Sequence, residues 1–408
     1  MELTLTSQIL LIAFGAAIFI GAVANKTNFC TMGAVSDWVN MGDTGRIRAW
    51  VFAMAIAIAG VLMLELFGLT DMSLVASNDT SNPPYRAAMF MWPRYILGGV
   101  LFGIGMTLAS GCGNKTLVRL GGGNLKSIIV FLIMGFFAYL MMYTNFYAYL
   151  FHNWISPISI DLAAKGIPSQ EIGTITAGII GYEDSQQLYY IFAGVIALAM
   201  LVWVFLKEEF RGSFDNILGG GVIGAMIVLA WYVTAGATGQ TWLEEIAWAE
   251  VRPHAAGAQS YTFVAPSGQL YNYFFADMKN NLITFALMGA AGVVVGSLAW
   301  ALISRSFRFE WFSNLGDFLR HAIGAALMGI GGVLAMGCTI GQGITGVSTL
   351  SLGSFMALIS IIFGCAMTMK IQYYKMIHEK DATFVKALVS SLVDFKLLPA
   401  SMRKLESY

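Results

Sequence analysis

Residues 321–369, between Arg320 and Lys370, contain no Asp, Glu, Lys or Arg. A hydrocarbon layer of about 30 Å is crossed by about 20 apolar residues in helical form, so this run alone suffices for two crossings. The whole chain follows suit: 57% of its 408 residues are hydrophobic and 11% are charged, far below the roughly 25% charge of ordinary soluble domains. A chain of this composition is expected to be an all-α polytopic membrane protein. Its net charge of zero carries no information about partners, because in such a protein the placement of charge matters more than its sum.

Nine long apolar spans are expected, at about 8–25, 47–69, 95–111, 125–150, 188–206, 217–235, 281–303, 320–337 and 352–372. Connections at 151–187 and 236–280 are long and carry the Pro, Asn, Gln and acidic residues of solvated loops. The opening MELTLTS has no basic n-region, so the first span reads as a retained helix and not a signal peptide. Eighteen basic residues fall after the odd-numbered spans, against five (Arg86, Arg94, Lys165, Arg252 and Lys279) on the other side. The positive-inside rule then places the N-terminus outside and the C-terminus in the cytoplasm. The tail after 371, with Phe384, Val385, Leu388, Leu392 and Val393, reads as a surface or interfacial helix. Trp92, Trp154, Trp203, Trp242 and Trp311, near span ends, read as interface anchors.

One stretch occurs twice. Residues 98–112, GGVLFGIGMTLASGC, and 324–338, GAALMGIGGVLAMGC, match at nine of fifteen positions without a gap. The copies lie on spans three and eight, five spans apart, so they point in opposite directions through the bilayer. A weaker pairing of span one (Gly21 onward to Cys30) with span six (Gly224 onward to Val233) has the same separation. The expected architecture is an inverted repeat of four, one and four spans: 1–187 with an outer loop, a linking span in 188–216, 217–377, and a tail from 378 to 408.

Each apolar run breaks into a small, polar segment that is too polar to face lipid and too apolar for a free loop. Non-helical backbone at membrane depth is tolerated where protein covers it or a watery cavity adjoins it, so these segments read as short re-entrant helices. Corresponding breaks are expected at Cys30, Cys112, Val233 and Cys338. One cysteine in an apolar helix is ordinary packing, as mid-span Cys365 is read; three at equivalent breaks suggest a shared chemical role. Free N–H groups and the positive helix end suit an anion there. The candidate substrate-contacting residues are Cys30, Cys112, Cys338, Gly111, Gly113, Asn114, Lys115, Arg119, Gly337, Thr339 and Gln342. Lys115 and Arg119 have the competing reading of basic anchors at the membrane surface.

The segments SGCGNKTLVRLGGGNLKS (110–127), GCTIGQGITGVSTLSLGS (337–354) and NFCTMGAVSDW (28–38) resemble the signatures of the YeeE/YedE family of bacterial inner-membrane proteins, over essentially the whole membrane region. The resemblance implies uptake of a sulfur compound, thiosulfate in the thiosulfate-uptake members, through an hourglass whose constriction is lined by Cys30, Cys112 and Cys338. It also implies a small cytoplasmic sulfurtransferase as a partner. Selenium-related and sulfide-related members leave the species open.

Other classes fit less well. A membrane thiol-disulfide oxidoreductase normally carries a close cysteine pair, and the chain has no C-x-x-C. A soft-metal carrier could use the 23 methionines, yet there are four histidines, and only His321 falls in an expected span. Glu65 is recorded as a proton or substrate candidate against the reading of an interface-facing carboxylate. GGGNLKS (121–127) lacks the P-loop spacing, since Leu125 precedes Lys126, so transport would be passive, ion-coupled or drawn by chemistry inside. No enzymatic activity, cofactor, resident metal or nucleic-acid partner is expected; the expected surroundings are the lipid bilayer and a small sulfur-containing anion.

Overall fold

A computed structural model describes residues 4–76 and 85–406. Among these, nine helical stretches are long and apolar enough to cross a membrane, and the architecture is that of an all-α polytopic membrane protein. In the first half α1 (Leu5–Lys26), α3 (Gly45–Leu66), α4 (Trp92–Leu108) and α6 (Leu125–Tyr143) are the long helices, with short α2 (Thr31–Met41) and α5 (Gly113–Gly121) after α1 and α4. Short α7 (Asn153–Ile155) and α8 (Ile172–Ile180) precede α9 (Ser185–Phe205), and α10 (Glu208–Gly212) follows it. The second half contains α11 (Phe214–Ala235), α12 (Ala237–Ala247), α13 (Ala265–Phe275), α14 (Phe285–Ile303), α15 (Leu315–Leu334) and α16 (Leu352–Ile377), and α17 (Phe384–Asp394) lies in the tail. The fourth helix stops at Tyr143, short of the expected 150, because the chain loosens at Thr144 into a wide turn at Ala148–His152.

Packing shows the inversion directly. α1 lies along α14 as α11 lies along α3, and α6 lies along α15 as α16 lies along α4. The repeat helices α4 and α15 cross each other at four glycines. A Cβ on Gly105 would lie 2.6 Å from the Gly324 carbonyl oxygen, and one on Gly324 would lie 2.6 Å from that of Gly105. Gly98 and Gly331 are opposed in the same way, at 2.8 and 2.7 Å. Gly98 and Gly105 are the repeat partners of Gly324 and Gly331, so an approximate two-fold axis passes between these two antiparallel contacts. The linking helix α9 packs on α3 and leaves Ile191, Val195, Leu198 and Val202 exposed, a lipid-facing surface.

Two expectations are corrected. Much of 236–280 is not a solvated loop: Gln259, Ser260, Tyr261, Thr262, Phe263, Val264, Ser267 and Gln269 are all buried. Their polar groups are satisfied by protein, as burial demands. Thr234 Oγ1 donates to the Gln259 carbonyl at 2.6 Å, Ser260 Oγ to that of Ile227 at 3.1 Å, and Thr345 Oγ1 to that of Tyr261 at 2.9 Å. The fourth break is not at Val233, which lies inside α11. After α11 the chain departs through α12 and returns to start α13 at Val264. α13 packs on α6 and α14 as α2 packs on α16 and α3. The tail helix α17 is folded against α16, with Asp394 bonded to Arg403 at 2.7 Å and to Tyr374 at 2.8 Å.

The α4–α15 crossing yields a stability test. Gly105→Ala is expected to lower thermal stability in detergent by about 1–3 kcal/mol through overpacking. Gly15→Ala, where an added Cβ meets nothing within 4 Å, should be neutral or gain up to about 1 kcal/mol from helix propensity.

Candidate functional site

Three of the long helices end in the same turn, and each turn presents a cysteine. In α1 the Phe29 N–H reaches back to the Ala24 carbonyl at 3.2 Å; in α4 Gly111 reaches Met106 at 2.8 Å; in α15 Gly337 reaches Gly332 at 2.8 Å. The residue before each donor, Asn28, Ser110 or Met336, has a left-handed φ of 50°, 59° or 58°. This is the six-to-one closure of a Schellman cap, with Ser and Met accepting a conformation that ordinarily favours Gly. The next residue is Cys30, Cys112 or Cys338 respectively, and a new helical turn starts immediately after it.

The cysteines are therefore helix N-caps. Cys30 Sγ accepts the Gly33 N–H at 3.5 Å. Cys338 Sγ accepts the Gly341 N–H at 3.4 Å from the coil it begins, and the Phe263 N–H at 3.3 Å from the start of α13. The coil after Cys338 widens to π-type turns over Gly341–Gly346 and ends at Val347–Thr349. Cys30 and Cys112 are near enough for their thiols to hydrogen-bond. Thr339 lies beside the Cys112 thiol, although its hydroxyl completes no hydrogen bond of ordinary geometry. Gly113 abuts the Phe263 carbonyl, which an added Cβ would approach to 2.8 Å. All four helix starts thus meet in one region.

Behind each cysteine stands an unsatisfied oxygen. Thr31 Oγ1, Asn114 Oδ1 and Thr339 Oγ1 are buried without a hydrogen-bond partner. Buried polar atoms are ordinarily paired, and three of the unpaired ones stand beside the three cysteines. Lys115 and Arg119 hold the turns: Lys115 Nζ donates to Asn28 Oδ1 at 3.1 Å, and Arg119 Nη1 to the Ser110 carbonyl at 2.6 Å. Gly111 and Gly337 are the cap donors, covered by the stems of Lys115 and Gln342. Gln342 has both ends of its amide engaged, donating to the Ala335 carbonyl and accepting from Ser354 Oγ, each at 2.6 Å.

On one side of this layer opens a cavity of about 680 Å³ lined by Lys26, Asn28, Cys30, Arg46, Lys115, Arg119 and Arg308, with Glu310 as its one acidic lining residue. Lys26, Arg46 and Arg308 pair with Asp215, Asp37 and Glu310. Among the described residues Lys115 and Arg119 form no ion pair, so their charges face the cavity without a carboxylate to cancel them. Cys30 lines this cavity at 6% exposure, while Cys112 at 1% and Cys338 at 0% are sealed. A second cavity, of about 460 Å³, contains Glu65 and Arg86. Arg46 and Glu65 stand near opposite ends of α3, about 29 Å apart along its axis, so the cavities occupy opposite faces of the bundle. Glu65 is not an interface-facing carboxylate: it is bound to Arg86 at 3.1 Å, with both side chains largely buried.

Phe263 and Thr262 are site residues that the span pattern does not reveal; their available signal is the helix start Val264-Ala265-Pro266, with proline near the beginning of α13. Asn28, Ser110 and Met336 shape the three turns through their left-handed backbone, and Asn28 also holds Lys115 with its side chain.

A model of the family described as "Sulphur transport" matches residues 26–367. The thiosulfate transporter TsuA of Spirochaeta thermophila is 26% identical over 349 residues, covering 84% of this chain and 93% of its own. The TsuA of Escherichia coli is 25% identical over 367 residues, covering 85% and 89%. With three matching caps, a family match that contains all of them and relatives aligned along nearly their full length, the chain belongs to the sulphur transport family.

Proposed function

We propose that this protein imports a sulfur-containing anion, thiosulfate, across a bacterial inner membrane, from the Glu65 side to the basic cavity. The observation that carries the reading is the convergence of three N-cap cysteines, each beside a buried unpaired oxygen. The name of the two TsuA relatives supports the substrate. The positive-inside excess supports a cytoplasmic basic cavity and an outside N-terminus.

Thiosulfate is a dianion with a soft terminal sulfur, and removing its water costs several kcal/mol unless donors replace it. Neutral thiols are weak donors suited to a soft acceptor, and they do not repel it as thiolates would. Cys338, Cys112 and Cys30 pass the terminal sulfur along by S–H hydrogen bonds, while the Thr339 and Thr31 hydroxyls and the N–H groups at the start of α5 meet the oxygens. Weak successive sites permit entry without trapping. Gln342, already engaged, braces the Cys338 turn, as Gly111 and Gly337 shape theirs. Lys115 and Arg119 draw the anion out into the cytoplasmic cavity, where a sulfurtransferase partner could consume it. No covalent step is required, and the protein is not assigned an enzymatic role.

Cys30 and Cys112 are close enough to suggest a redox dithiol as a second reading. Mass spectrometry of alkylated protein trapped during turnover separates the two: the relay keeps all three thiols reduced, and a Cys30–Cys112 disulfide that accumulates with substrate supports the redox reading.

Growth of a sulfate-uptake-deficient bacterium on thiosulfate as sole sulfur source tests the substrate. The parent should rescue growth, and Cys112→Ser and Cys338→Ser at matched membrane levels should not, whereas Cys365→Ser should. No rescue by inserted parent, with or without a sulfurtransferase, would point to another sulfur or selenium species. Cytoplasm-side maleimide should label Cys30 at least about tenfold faster than Cys112 or Cys338, because burial governs access, and thiosulfate should slow the Cys30 reaction.

A further inference from the structure

We infer that the cavity at the Leu66 end of α3 is a second anion-binding site, where Arg86 receives a divalent oxyanion and Glu65 is the built-in competitor that the anion displaces. The inference rests on the transport reading and assigns the first station of the path, on the face opposite the basic cavity.

Among the described residues Arg86 is the only cation lining this cavity, and its side chain is 11% exposed. Its Nη1 and Nη2 donate to the two Glu65 oxygens at 3.1 and 3.3 Å, and its Nε donates to the Thr349 carbonyl at 3.3 Å. The guanidinium lies 4.7 Å from the centre of the Tyr189 ring. Of its five N–H groups, two are thus left without an acceptor among the described residues. The Tyr189 hydroxyl, in a residue 3% exposed, stands near Glu65 without completing a hydrogen bond of ordinary geometry, and the Thr70 hydroxyl on the same cavity wall is also unpaired. Two guanidinium N–H groups and two hydroxyls therefore have no partner among the described residues.

The other acids of the cavity do not compete. Glu171 accepts from the Gly173 and Thr174 N–H groups and from Thr174 Oγ1 as the cap of α8. Asp71 accepts from Ser73. Among the described residues only Glu65 hydrogen-bonds the guanidinium, and Glu171 adds a longer-range attraction. A planar fork of N–H donors matches two oxygens of a sulfonate-like group, while thiols match a soft sulfur, so the two layers read opposite ends of the anion. Displacing Glu65 offsets most of the attraction, which keeps the site weak enough to release its cargo. Thr349 ends the coil that begins at Cys338, linking this station to the cysteine layer. Sulfate, which lacks the soft end, should bind at Arg86 and fail to pass.

The test is radiolabelled sulfate binding to the purified full chain, measured by scintillation proximity, with labelled thiosulfate run in parallel. Saturable sulfate binding is expected in the parent, about tenfold tighter in Glu65→Gln, and absent in Glu65→Gln/Arg86→Gln, which leaves no lone buried charge and should therefore fold even if the single variant does not. Binding unchanged in the double variant, or no saturable binding in a folded parent, overturns the inference. The sulfate assay requires no transport, so Arg86-dependent binding sustains this site even if the parent fails to rescue growth on thiosulfate, and rescue without such binding removes it.

Discussion

The approach of α4 and α15 at Gly98, Gly105, Gly324 and Gly331 governs the rest of the structure. With carbonyl oxygens under 3 Å from where a Cβ would stand, no other residue permits this spacing. In lipid, helix association gains little from apolar burial and depends on close van der Waals fit, which small residues provide. Because the contact is the same when read from either helix, it fixes the two-fold relation between the halves. It also sets the ends of both helices, and with them Cys112 and Cys338, on either side of the pseudo-axis. α1 carries Cys30 to the same centre, and the Phe263 N–H bond to Cys338 Sγ holds the Val264 start there.

A second constraint follows from breaking helices inside a membrane. Every interrupted turn leaves backbone N–H and C=O groups that lipid cannot satisfy. The caps at Asn28, Ser110 and Met336 return one N–H each to its own helix, Arg119 covers a carbonyl of the Ser110 turn, and Cys338 takes an N–H from each of two segments. What is left over is a small set of donors and hydroxyls gathered where four helix starts meet. Under the proposed function, an anion accepting from these groups would complete what the interrupted helices leave unpaired.

The sequence displays those features that helix packing forces into a pattern. Glycines recur at the same places in 98–112 and 324–338 because both copies make the same contact, so the repeat, the inversion and the two cysteines are legible together. Cys30 is legible through its apolar run and abrupt polar break. The fourth start is not: α12 and the segment after it separate α11 from α13, so aligning span one with span six leads to Val233 instead of Val264. The burial of 255–264 is hidden for a related reason, since Gln259, Ser260 and Thr262 are polar by composition and buried only because Thr234, Ile227 and Cys338 receive them. The Glu65–Arg86 pair joins residues with no shared helical periodicity. No pattern in the chain announces it.

The account stands or falls on whether an anion lies among Cys30, Cys112 and Cys338. Crystals of the protein soaked with selenosulfate, whose terminal selenium replaces the soft sulfur, allow that atom to be located by anomalous scattering. The account predicts selenium in van der Waals contact with the cysteine thiols, unbonded to them, with the anion's oxygens toward the unpaired Thr31 or Thr339 hydroxyls. Selenium covalently attached to a cysteine, or anomalous density confined to regions away from all three thiols, would contradict it.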